Sequence, residues 1–261
     1  MVAASTGNHG AAVAHAMTSL GIPGRIFVPE TASPAKLAAI RSYGVEIRTG
    51  GGDPVESEIR ARRDAGENGM VYISPYNDPR VIGGQGTVGV ELSRQIGRID
   101  TVLVALGGGG LISGIGGFLE SIDPEIEVVA CSPANSAVMY ESLRAGRILE
   151  MESKPTLSDG TAGGVEDDAI TFEPCRRLID HHVLVTEEEI RRALRLVIGE
   201  HHLLVEGAAG VAVAGLLKET ERYRDRHAAV VLCGANISLE ALRGVLADEP
   251  RDVRPGRRED R

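Results

Sequence analysis

Tryptophan is absent from this chain, and aromatic residues make up only 3% of its 261 positions. A core without large rings has to be packed by small aliphatic side chains. Cysteine is scarce and odd in number. Cys131, Cys175 and Cys233 lie far apart, which excludes a disulfide framework and fits a reducing compartment. No apolar run approaches the roughly 20 residues that span a bilayer, and the start carries no charged segment followed by an apolar one, as a secretory signal would. Positive charge is also short, with 28 Lys and Arg against 37 Asp and Glu and a net charge of -9. That balance disfavours nucleic-acid binding, which depends on neutralising phosphates. The expectation is a cytoplasmic protein with no membrane and no nucleic-acid partner. Among the basic residues lysine is nearly missing: only Lys36, Lys154 and Lys218 occur, and all the others are arginine.

What is abundant is glycine, at 33 residues, within a chain that is 43% hydrophobic and 25% charged. The length allows one large domain or two modest ones. Short β-branched runs alternate with amphipathic stretches. Strands are predicted at 25–29, 45–47, 70–74, 101–106, 125–131, 182–185 and 228–233. Helices are predicted at 8–20, 34–43, 54–67, 81–96, from about 111, 138–145, 187–200, 207–217 and 239–246. Runs such as TVLVAL, apolar on both faces, suit parallel strands covered on each side by helices, so the pattern indicates a doubly wound α/β architecture. Residues 146–180 are the least regular, broken by Lys-Pro, Asp-Gly and Gly-Gly turns. Thr186 followed by Glu189 reads as a capping box, which accounts for the acidic run at 187–189 without a catalytic role. The tail 248–261 is charged and reads as mobile. Residues 2–5 read as the end of a strand, so the first amides are expected to form an unfinished ladder.

Four strand or helix ends carry residues with chemistry. Gly107, Gly108, Gly109 and Gly110 stand between an apolar strand and a helix, where several backbone N–H groups can converge on a phosphate. A dinucleotide fingerprint fails there, because Ile112 or Ser113 stands where its third glycine belongs, and no lysine follows to make a Walker loop. The second is the run Ser5, Thr6, Gly7, Asn8, His9, which either receives a carboxylate or simply caps a helix; His9 alone reads as a capping or packing residue. The third is Cys233 with Gly234 and Asn236, either an inert buried thiol or a small hydrogen-bonding group at the same sheet edge. The fourth is Glu206, either an acid complementing a helix dipole or a site residue. The pairs His181-His182 and His201-His202 carry no partner motif for a metal, and adjacent histidines point in different directions.

Taken together and in order, the stretches at 5–16, 74–92, 103–115, 185–190, 206–217 and 230–237 resemble the fold type II pyridoxal-phosphate (PLP) enzymes, most closely their threonine/serine dehydratase and serine racemase branch. The resemblance covers residues 2–245 and implies two doubly wound domains of the tryptophan synthase beta subunit type. These are a smaller one at 1–76 and a larger PLP-binding one at 77–247. It implies that the 5–9 loop receives the substrate carboxylate, with Asn8 also reaching the cofactor ring oxygen. It further implies that the four glycines cradle the phosphate, that Cys233 stands against the pyridine nitrogen, and that Asn77 and Glu206 occupy further pocket positions. The implied reaction is elimination from L-threonine or L-serine to a 2-oxo acid and ammonia, in a homo-oligomer acting on a small amino acid.

Two departures from the family pattern stand out. The segment S-F/Y-K-x-R that carries the family's Schiff-base lysine precedes the glycine-asparagine loop by about thirty residues, and this chain begins four residues before that loop. The expectation is therefore a chain truncated at its N-terminus, with no catalytic lysine of its own. The alternatives are an inactive, anion-binding remnant or another fold type II activity, such as β-replacement or racemisation. The second departure lies at 131–137, where Cys131 and Ala137 replace the acidic ligands of racemase-like members, so no metal site is carried over. Thr6 likewise replaces the serine that serves a racemase as second base.

Overall fold

The computed structural model describes residues 1–30, 32 and 34–247, with the side chains of 34–36 left aside; the tail read as mobile lies outside the described residues. The elements run β1 (Val2–Ala4), α1 (Asn8–Leu20), β2 (Arg25–Val28), α2 (Pro34–Arg41), β3 (Glu46–Thr49), α3 (Pro54–Glu67) and β4 (Tyr72–Ile73). They continue with α4 (Pro79–Gln95), β5 (Thr101–Ala105), α5 (Gly110–Ile122), β6 (Glu127–Pro133), α6 (Val138–Ala145), α7 (Phe172–Leu178) and β7 (His181–Val185). The last are α8 (Glu187–His201), α9 (Gly207–Lys218), β8 (Ala228–Val230) and α10 (Leu239–Leu246).

Two four-stranded sheets result, ordered β3-β2-β1-β4 and β7-β6-β5-β8, with every pairing parallel. Strand β5 is buried along its whole length, as an apolar strand sandwiched between helices must be. The unfinished ladder expected at the start is not found. β1 is flanked on both sides, by β2 and β4, and the Val2 N–H donates to the Val71 carbonyl at 2.8 Å.

Other boundaries move for local reasons. Helix α4 begins two residues before the predicted start, because Asp78 caps it through the Arg80 N–H and Pro79 takes the first helical position. Helix α7 was unforeseen within the irregular 146–180 stretch. The predicted strand at 228–233 stops at Val230, and the residues after it turn into the cleft described below.

Close helix approach explains several glycines. A Cβ on Gly114 of α5 would lie 2.3 Å from the Ile82 carbonyl oxygen of α4, so these two helices meet backbone to backbone. Helix α8 is held at its start by the predicted capping box, with Thr186 Oγ1 and Glu189 satisfying each other's backbone N–H groups. Thr186→Ala is expected to cost about 1 kcal/mol, read as a lower urea midpoint at unchanged slope. No helix among the described residues is long and apolar enough to cross a membrane.

Candidate functional site

The carboxyl ends of β1, β5 and β8 and the N-terminus of α9 open on one cleft of about 1080 Å³ between the two sheets. Ligands in parallel α/β sheets settle at this edge, where loops and helix N-termini present unpaired donors.

The glycine run forms its floor. Gly109 has φ of 87°, a left-handed conformation that glycine adopts without strain. A Cβ on Gly108 would lie 2.5 Å from the Tyr76 ring, one on Gly109 would lie 2.7 Å from Cys175 Sγ, and one on Gly110 would lie 2.9 Å from Tyr76 Cβ. Thr171 Oγ1 donates to the Gly108 carbonyl at 2.7 Å and holds that oxygen in place. Among the described residues, no protein acceptor receives the N–H groups from Gly107 to Ile112. Unpaired amides gathered at the N-terminus of α5 are what a phosphate needs.

Facing the floor, the 5–9 loop lines the cleft in full. Ser5 Oγ accepts the Gly7 N–H at 3.0 Å, which tightens the turn. A Cβ on Gly10 would lie 2.2 Å from the Ser5 carbonyl oxygen, so α1 can fold back on its own loop only with glycine there. Asn8 Nδ2 donates to both carboxylate oxygens of Glu206, at 3.1 and 3.0 Å. Glu206 Oε2 also accepts the Asn236 N–H at 3.0 Å, and the Glu206 N–H donates to the Gly234 carbonyl at 3.0 Å. This single carboxylate therefore ties the 5–9 loop to the 233–236 loop.

Cys233 lines the same wall, and its thiol is pushed up to about 11, by burial first and then by the charge of Glu206. It stays a neutral thiol at physiological pH. The His9 ring is committed to the backbone: its Nε2 lies 3.0 Å from the Ile73 carbonyl, and burial holds the imidazole below its usual range, so the ring is uncharged and donates to that oxygen. Asn77 is not brought to the cleft. Its amide nitrogen donates to Glu166 and Asp168, and its oxygen accepts the Ile170 N–H.

Sequence reasoning missed Tyr76 and Glu58, both of which line the cleft. Tyr76 sits beside the Asn77 position that was singled out. Glu58 is one polar residue on an amphipathic helix, with no local signal to mark it. Of the three lysines, Lys154 is exposed and Lys218 gives its Nζ to the Leu184 carbonyl and Glu189, and neither lines the cleft. The histidine pairs are also accounted for locally, with His181 Nε2 at 2.8 Å from Glu219 and His182 edge-on to Tyr140.

Residues 1–234 match the family described as pyridoxal-phosphate dependent enzyme. The L-threonine ammonia-lyase of Thermotoga maritima is 37% identical over 242 residues, covering 93% of this chain and 60% of that protein. Among solved structures, the processed threonine deaminase isoform 2 of Solanum lycopersicum superposes with a TM-score of 0.85 at 33% identity, covering 95% of this chain and 72% of that one. Maize serine racemase superposes with a TM-score of 0.84 at 30% identity, covering 95% and 76%. The chain thus spans 60% of the length of the Thermotoga relative.

Proposed function

This chain belongs to the pyridoxal-phosphate-dependent enzyme family, and we propose that its cleft serves the α,β-elimination of L-threonine or L-serine to a 2-oxo acid and ammonia. The observation that carries the reading is the unpaired amide array at 107–112 facing the 5–9 loop and a neutral Cys233 across one cleft. The residues fit the cofactor. The glycine amides would hold its phosphate, and Cys233 would stand against its ring nitrogen. Bound PLP withdraws electrons from the Cα of an amino acid.

The rest is the work of this chain's own groups. The N–H groups and hydroxyls of Ser5 and Thr6 orient the substrate carboxylate. Glu206 fixes the Asn8 amide, so that the loop meets the substrate without reorganising. A neutral thiol at Cys233 leaves the ring less electron-withdrawing than a charged partner would, which favours prompt loss of the β-hydroxyl over a long-lived carbanion.

The elimination also needs a lysine amine in the cleft, and Lys154 and Lys218 do not supply one. That observation favours a second reading, an anion-binding protein without turnover.

Two forms test the readings: this chain, and the same chain extended through its upstream in-frame codons. Both are expected to bind PLP in competition with inorganic phosphate. The extended form is expected to release 2-oxobutanoate or pyruvate with ammonia, and to retain PLP after borohydride reduction. Binding without product from either form would favour the second reading. Formation of a new or inverted amino acid would replace elimination with β-replacement or racemisation.

A further inference from the structure

Behind the cradle lies a buried cluster that the elimination does not use. Tyr76 sits with its ring against Gly108 and its Cβ and Cα against Gly110. Its hydroxyl donates to Glu58 Oε2 at 3.1 Å and accepts the Glu166 N–H at 2.9 Å. Glu58 belongs to α3 and Glu166 to the loop before α7, so one phenol joins the small sheet's helix to the loop that backs the cradle. The same two segments touch at their ends: a Cβ on Gly164 would lie 3.1 Å from Val55 of α3. Glu58 and Glu166 are 7% and 4% exposed, too dry for both to ionise cheaply. The single cation among them, Arg62, is committed to Glu166 at 2.5 Å.

We infer that Tyr76 and Glu58 are positioning residues for the phosphate cradle, Tyr76 being seated beneath Gly108 by its hydroxyl between Glu58 and the Glu166 N–H. The inference rests on the cradle reading above and deepens it by assigning the site a pH-dependent anion affinity. Groups facing Glu58 come from every packed element. They are Asp53 and Arg62 at the cap and on the body of α3, Tyr72 on β4, Tyr76 after it, and Glu166 from the loop. Carboxylates outnumber the cation, so Glu58 is the group that stays protonated. Burial, and then the charge of Glu166, push it up to about 8. Above that pH, Glu58 becomes a second buried anion beside Glu166; the Tyr76 hydroxyl then donates to a charged acceptor, and the repulsion between the two carboxylates acts on the segments that Tyr76 joins. The cradle then loses its backing.

Methyl phosphate is a suitable probe, because a phosphate monoester takes up its second charge near pH 6, well below the transition. Calorimetric titration from pH 6.5 to 9.5 is expected to show roughly tenfold weaker binding to the unmodified chain across pH 8. Glu58→Gln keeps an acceptor for Tyr76 but cannot ionise, so it should retain the low-pH affinity and flatten the profile. Tyr76→Phe keeps the ring under Gly108 and removes the link, so it should bind more weakly at pH 6.5 and show no step. A flat profile for the unmodified chain, or an unchanged step in Glu58→Gln, overturns the inference while leaving the cradle intact. No binding at pH 6.5 overturns the cradle and the inference together. The first outcome leaves the proposed reaction standing, whereas the second removes the observation that carries it.

Discussion

Gly207→Ala is expected to destabilise the protein by about 3 kcal/mol or more, a large share of the roughly 5–15 kcal/mol that holds a domain folded. A Cβ at this position would lie 1.8 Å from the Leu157 carbonyl oxygen and 2.4 Å from its carbon. Both are backbone atoms, so no side-chain rotation relieves the clash. Nor can the helix retreat easily. α9 is buried from Gly207 to Gly215, where its small residues let it lie against the β7-β6-β5-β8 sheet, and a Cβ on Gly215 would meet Cys131 Sγ at 2.4 Å. A calorimetric melt should fall by about 10 °C. Gly199→Ala is the matched control. This glycine lies exposed within α8 with open space around its missing Cβ, and alanine there should stabilise by about 0.5–1 kcal/mol through helix propensity. Equal melting temperatures for the two variants would show that α9 can slide, contrary to its packing.

Gly108→Ala is expected to spare the fold and to weaken phosphate or PLP binding about 100-fold, equivalent to about 2.7 kcal/mol. The added methyl would press on the Tyr76 ring at 2.5 Å. That ring is held from behind, with its hydroxyl between Glu58 and the Glu166 N–H, so the loop moves and the amide array loses its convergence. Adding Tyr76→Ala opens room for the methyl but also removes the ring that seats the loop, so the two losses should be less than additive, a coupling that a double-mutant cycle measures. Wild-type affinity in the single variant would mean that the anion sits elsewhere.

The features legible from the sequence were those whose causes lie within a few residues. The alternation of apolar strands with amphipathic helices indicated two parallel layers, and Pro54, Thr186 and Gly107 through Gly110 marked starts and turns by their own stereochemistry. Errors came where a neighbour in space decides. The AAVVLC run reads as a six-residue strand, yet β8 pairs only with β5 and ends at Val230. The Asp78-Pro79 start of α4 was available in the sequence, but the first apolar residue, Val81, drew the boundary instead. Asn77 looked like a pocket residue because it sits in a pocket segment. In the fold Tyr76 faces the cleft, and Asn77 serves the 166–170 loop.

By itself the sequence determined the architecture, the glycine turn at 107–110 and the loop at 5–9, because backbone conformation and amide exposure follow from local residue types. Only the tertiary structure joined Asn8 to Glu206 across 198 positions and Tyr76 to Glu166 across 90. The protonation of Glu58 and Cys233 likewise belongs to the fold. Desolvation and neighbouring charge set it, and both act through space between segments that the chain keeps far apart.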